Sequence, residues 1–221
     1  MSLLRTYKWF NSQFKKFVVS FISGGNTLII YIKILKFSLK IKGEQMAYIK
    51  LCKYEDMSPE IQAKAEPILE KTGKLGEIFE LLALDEKIYT ATDNMVQNYL
   101  LKETLLPYST KERIALLVSL ENNCTMCVDV HKNIAKMLGM SEKEVEDTLN
   151  GVDAIDCEES EKTLLRLCLK GASKENYKTT QADIDAVKNA GYSEVEIVEA
   201  IAITGYFNYI NTLSNVFGLG K

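Results

Sequence analysis

Histidine is almost missing from this chain, with one in 221 residues, and proline (three) and tryptophan (one) are nearly as scarce. Each scarcity excludes something. A structural zinc site wants four ligands, so His131 would need cysteines or carboxylates to complete a set. Few prolines and a modest twelve glycines leave long helices with few breakers. No glycine-rich phosphate loop occurs, and the terminal Gly218-Leu219-Gly220-Lys221 is too short a fragment of one to count. Repeats, low-complexity tracts and long linkers are also lacking. The apolar stretch of the N-terminal segment, Phe17 to Ile32, is interrupted by Ser20, Ser23, Gly24, Gly25, Asn26 and Thr27. It falls short of the roughly 20 apolar residues of a membrane span.

Charge is scarce in one sign only at the N-terminus. Residues 1–45 carry eight Lys or Arg against the single acid Glu44, whereas the remaining 176 carry 19 against 29 Asp or Glu. An acidic body lacks the basic footprint that nucleic-acid binding needs. The first 45 residues form a basic, apolar extension with strand-like alternation at Phe37, Leu39 and Ile41. A secretory signal fits poorly, because no Ala-x-Ala-type site follows. Lys42-Gly43-Glu44 ahead of Met46 back-translates to a purine-rich ribosome-binding site. The expectation is therefore a helical domain over 46–221, preceded over 1–45 by a leader ahead of a natural start at Met46, a weak membrane segment or a structural arm.

Apolar residues make up 47% of the chain, enough for a sizeable core. Helix starts recur along 46–221. Ser58-Pro59 reads as an N-cap with proline in the first turn. Ser109-x-x-Glu112, Ser141-x-x-Glu144 and Ser193-x-x-Glu196 match capping boxes, with Thr180-x-x-Asp183 a weaker relative. Gly139, Gly151, Gly171 and Gly191 stand where helices should stop. The spacing predicts helices near 59–72, 75–83, 85–103, 110–121, 124–138, 142–150, 158–170, 181–189 and 194–217. No strand pattern competes, so the fold class is all-α, a multi-helix bundle. The last helix is apolar on nearly all sides, as in a core or a subunit interface.

The five cysteines are an odd number, unlike a secreted disulfide framework. In a cytoplasmic protein, paired cysteines more often catalyse or bind metal. Cys124, Cys127 and His131 lie at i, i+3 and i+7, one stripe of a helix. Three-residue spacing brings the cysteine Cα atoms into disulfide range. Asn122 or Asn123 can cap this helix, placing Cys124 in its first turn, where free N–H groups and the helix dipole favour thiolate. A c-type haem tether is excluded, since Val128 rather than histidine follows Cys127. Zinc with a further cysteine or carboxylate, two merely packed cysteines, and a redox-active dithiol all remain open. The dithiol leads, and its cycle needs no metal, flavin or nicotinamide. Cys52 and Cys157 lack partners at motif spacing, and Cys168 reads as core.

The segment STKERIALLVSLENNCTMCVDVHKNIAKMLGMSEKEVEDTL resembles the core of the alkylhydroperoxidase-D-like, or carboxymuconolactone decarboxylase, family. It shares an Arg/Lys-Glu before an apolar helix, then Cys-x-x-Cys-x-x-x-His and a Gly-Met-Ser turn. The late GYFNYINTLSNVFGL is similar to the family's Phe-Asn-x-x-Asn segment. The likeness spans roughly residues 55–219. It implies an all-helical homo-oligomer, a trimer or hexamer, that reduces hydroperoxides at the expense of an external dithiol or protein reductant. Carried over, Cys127 attacks the peroxide, Cys124 resolves it, and His131 and Glu112 relay protons. Thr125-Met126 stand where many relatives have an aromatic or histidine. Tyr209 and Thr212 stand where Arg is common. Glu112 also reads as the third residue of the Ser109 capping box, and Asn208 and Asn211 as partners of buried backbone. A thiol–disulfide relay and a lactone decarboxylase are the rival activities, although decarboxylase relatives work without the dithiol.

Overall fold

The computed structural model describes residues 47–220; the expectations for residues 1–45 lie outside them. Every regular element among the described residues is helical. In chain order these are α1 (Pro59–Thr72), α2 (Glu77–Leu82), α3 (Glu86–Met95), α4 (Tyr108–Glu121), α5 (Thr125–Met137), α6 (Glu142–Leu149), α7 (Glu159–Ala172), α8 (Gln181–Asn189) and α9 (Glu194–Phe217). The expected all-α bundle is what forms, and no helix of the described residues is long and apolar enough to cross a membrane.

Local signals explain most boundaries. Ser58 accepts from Ile61 N–H ahead of Pro59. Ser141 and Ser193 make full capping boxes with Glu144 and Glu196, while at α8 Asp183 accepts from Thr180 N–H. Gly139, Gly151 and Gly191 take φ near 100°, a conformation that favours glycine. Gly171 departs from expectation. It lies inside α7, where a Cβ would sit 3.4 Å from Ile201 Cδ1, so its smallness serves α7–α9 packing. The helix expected over 85–103 is α-helical only to Met95, then widens into a π turn, Val96–Leu100. Such turns gather at functional sites, and here Val96 and Leu100 both face a cavity described below.

α4 is the centre of the bundle, packed against α5, α6, α7 and α9. Ile114, Leu117 and Val118 meet Leu164, Leu165, Ile203 and Phe207 in the main core. Its first turns, Thr110-Lys111-Glu112-Arg113, are buried as well. Successive residues of a helix point about 100° apart, and each of these finds a partner on a neighbouring segment. Lys111 donates to Lys102 O and stands 3.9 Å from Glu199. Burial pulls the Lys111 ammonium below its usual range, against the opposing pull of Glu199 and Glu103. Arg113 bonds Glu161, which also accepts from Thr110. Glu112 turns towards α5.

Candidate active site

α4 and α5 are joined by a turn of three residues, Asn122 to Cys124. Asn123 takes a left-handed φ of 54°, the one non-glycine residue described to do so, and asparagine tolerates this conformation better than most. Asn122 holds the turn against α9. Its amide donates to Asn208 Oδ1 and Asn211 Oδ1, at 2.7 and 3.0 Å, and its carbonyl accepts from Asn215 Nδ2. Asn211 in turn donates to Ser119 Oγ, and Asn208 to Ala172 O. The expectation of backbone partners thus holds for Asn208, whereas Asn211 bonds side chains. Sequence reasoning missed Asn122, Asn215 and Ser119 in this network, since nothing in the spacing links them.

Neither asparagine caps α5. Cys124 itself occupies the N-cap position, and Cys127 is the third helical residue. Cys124 and Cys127 form a disulfide, with Cα atoms 5.3 Å apart. Because the helix starts after Cys124, the expected three-residue stripe splits. Cys127 and His131 are four apart on one face and both line a cavity of about 140 Å³, whereas Cys124 does not. The first-turn position, with its unpaired N–H groups, belongs to Cys127 rather than Cys124. Both sulfurs are nearly sealed, at 1% and 3% residue exposure.

Glu112 reaches the site from α4. Its Oε2 lies 2.8 Å from His131 Nδ1, and Phe207 meets the imidazole edge-on at 4.8 Å between ring centres. This corrects the Ser109 capping box. α4 begins after Pro107, so Ser109 falls inside the first turn and makes no cap bond. Ser214 on α9 stands with Oγ 3.5 Å from Cys127 Sγ; with the sulfur in a disulfide, the hydroxyl is the donor. Apart from Glu112, His131 and Asp93, the cavity wall is mainly aliphatic and aromatic, including Ile78, Phe79, Tyr206 and Ile210. Cys168 is buried in the core as expected, and that burial pushes its thiol up to about 11. Among the described residues, no group of three or more His, Cys, Asp and Glu is placed to hold a metal ion.

Residues 87–168 match the carboxymuconolactone decarboxylase family. The resemblance carried by the Cys-x-x-Cys-x-x-x-His segment is borne out there. A comparison with curated proteins finds no match. Among solved structures, the chain is similar to an alkylhydroperoxidase AhpD core protein, peroxidase-related and uncharacterized, from Ralstonia eutropha JMP134. The two share 20% identity and a TM-score of 0.74 over 80% of this chain and 93% of that one. A peroxidase-related protein from Silicibacter sp. TM1040 gives 21% identity and 0.72, with 80% and 93% covered. A debrominase in complex with 2,3,4-tribromopyrrole gives 17% and 0.63, with 78% and 92% covered. At these identities the likeness is one of fold.

Proposed function

We propose that the protein is a thiol-dependent peroxidase, reducing organic hydroperoxides through the Cys124–Cys127 pair. One observation carries this reading. Cys127 and the His131–Glu112 pair face the same apolar cavity, while Cys124 is bonded to Cys127 from outside the cavity wall. A peroxide entering the cavity meets Cys127 first. Its thiolate attacks one peroxide oxygen and becomes sulfenic acid, and the other oxygen departs as alkoxide, which takes a proton to become alcohol. His131, one turn further along, supplies that proton and regains it from the next Cys127 thiol, with Glu112 holding the ring through Nδ1. Cys124 thiol then displaces hydroxyl from Cys127, giving water and the disulfide seen here. An external dithiol restores both thiols by exchange and is itself oxidised.

The deciding experiment is turnover with cumene hydroperoxide, coupled to mass analysis. Cys127→Ser should abolish it, and Cys124→Ser should accumulate sulfenic acid on Cys127. Full turnover by Cys127→Ser overturns the assignment. A protein thiol–disulfide relay uses the same residues, but the sealing of both sulfurs favours a small substrate over a docking protein. Lactone decarboxylation would survive alkylation of the thiols, and the peroxidase would not.

Further elements of this reading are a cytoplasmic location, supported by three unpaired cysteines in the chain, and a homo-oligomer. Val130 and Met137 on α5, Leu138 at its C-terminal end, and Val195, Val198 and Val216 on α9 are exposed apolar side chains of the kind that subunit contacts cover. Light scattering of the purified protein checks the oligomer.

A further inference from the structure

We infer that Ser214 is a working part of the dithiol site: its hydroxyl donates to Cys127 Sγ and holds the reduced sulfur as thiolate. The inference rests on the reading of Cys127 as the nucleophile. Ser214 is 1% exposed and sits 87 residues away in sequence, with Oγ 3.5 Å from the sulfur. A buried serine inside a helix ordinarily returns its hydroxyl to the carbonyl four residues back. Thr204 and Thr212 on the same helix do so, bonding Ala200 O and Asn208 O. Ser214 instead has the sulfur as its side-chain partner.

Its position is fixed from both sides. Asn211, one turn earlier, ties α9 to Ser119, and Asn215, the next residue, ties it to Asn122 O in the turn that ends at Cys124. The residues flanking Ser214 therefore hold its register against the same turn that positions the cysteines. Ser214 cannot slide along Cys127 without breaking those side-chain amide hydrogen bonds.

The chemistry follows from what the sulfur becomes. In the disulfide, Sγ is a weak acceptor. Reduction of the bond by a dithiol gives two thiols; once His131 has taken the Cys127 proton, the same hydroxyl makes a charge-assisted hydrogen bond to the thiolate, roughly twice as strong as a neutral one. The bond thus strengthens at the step that regenerates the nucleophile. The dipole at the first turn of α5, where Cys127 sits, favours the same thiolate.

The test titrates the reduced full-length protein by the rate at which iodoacetamide alkylates Cys127, read site by site by mass spectrometry across pH. In Ser214→Ala the alkylation midpoint should move up, with the thiolate fraction near neutral pH falling about tenfold. Ser214→Thr, which keeps the hydroxyl, should return it towards the wild-type value, and circular dichroism should show all three folded. A purely structural serine would leave the midpoint in place. An unmoved midpoint in Ser214→Ala, or a shift that Ser214→Thr reproduces rather than reverses, overturns the inference. Because no peroxide is involved, failure here is separate from failure of the peroxidase reading, which cumene hydroperoxide turnover judges.

Discussion

Glu112 Oε2 lies 2.8 Å from His131 Nδ1, across the contact between α4 and α5. A carboxylate that reads in sequence as a helix cap is thereby committed to an imidazole on another helix. With Pro107 at the N-cap, Ser109 has no role in starting α4. Ser109→Ala should therefore change unfolding free energy by less than about 0.5 kcal/mol. Ser141→Ala and Ser193→Ala, which remove real capping boxes, should each cost about 1 kcal/mol. Urea unfolding of the three variants checks this contrast.

The same pair sets an expectation for turnover. Glu112→Gln preserves shape but removes the charge that orients and supports the imidazole. The value of kcat/KM with cumene hydroperoxide should fall about 10²-fold or more, the usual scale of a proton-transfer group. His131→Asn should fall by a similar factor, and the double variant little further, because the two residues act as a unit. Steady-state kinetics of the single and double variants decides it.

Tyr89 presents an opposite case. Its hydroxyl and Arg113 Nε are the buried side-chain polar atoms without a hydrogen-bond partner among the described residues. Burial pushes the Tyr89 hydroxyl up to about 12, so it stays neutral. An unpaired buried hydroxyl costs free energy that a hydrogen atom does not. Tyr89→Phe should raise stability by about 1 kcal/mol with the ring packing against Phe79 unchanged, read as a higher urea midpoint.

Thiol labelling should sort the five cysteines by environment. The folded oxidised protein should take iodoacetamide at Cys52 and Cys157 only, since Cys168 is buried and the other two are joined. Denaturation should add Cys168, and reduction should then add Cys124 and Cys127. Peptide mapping after each step gives the order. Labelling of Cys168 in the folded state would contradict its core position.

Alkaline pH should weaken the fold through Cys168. Burial raises its thiol from 9.0 to about 11. The folded state therefore keeps a proton that the unfolded chain gives up first. That contribution is complete below about pH 9 and is lost as pH rises through about 11, reaching about 2 kcal/mol near pH 10.5. Cys168→Ala should show a correspondingly smaller loss of stability between about pH 8 and pH 10.5 in urea unfolding.

Sequence by itself determined the helical class, most helix boundaries and the presence of the dithiol. Those features depend on neighbours within a few residues: Ser141 and Ser193 reach their own first turns, Gly139 and Gly151 end helices through their own φ, and Cys124 and Cys127 meet because they lie three apart. Where a local pattern was ambiguous, distant contacts settled it. Glu112 reads as a cap from its own spacing and as a site acid only through the resemblance, and the approach of α5 turns it towards His131. The burial of Thr110 to Arg113 depends on partners such as Lys102, His131 and Glu161, which periodicity does not reveal. Tertiary structure alone decided that Cys127 rather than Cys124 faces the cavity, since starting α5 one residue later rotates Cys124 off the shared stripe. It alone brought Ser214 and the asparagines of α9 to the turn before the dithiol. Local interactions choose helices, whereas a site assembled from α3, α4, α5 and α9 exists only once burying their apolar faces has packed them together.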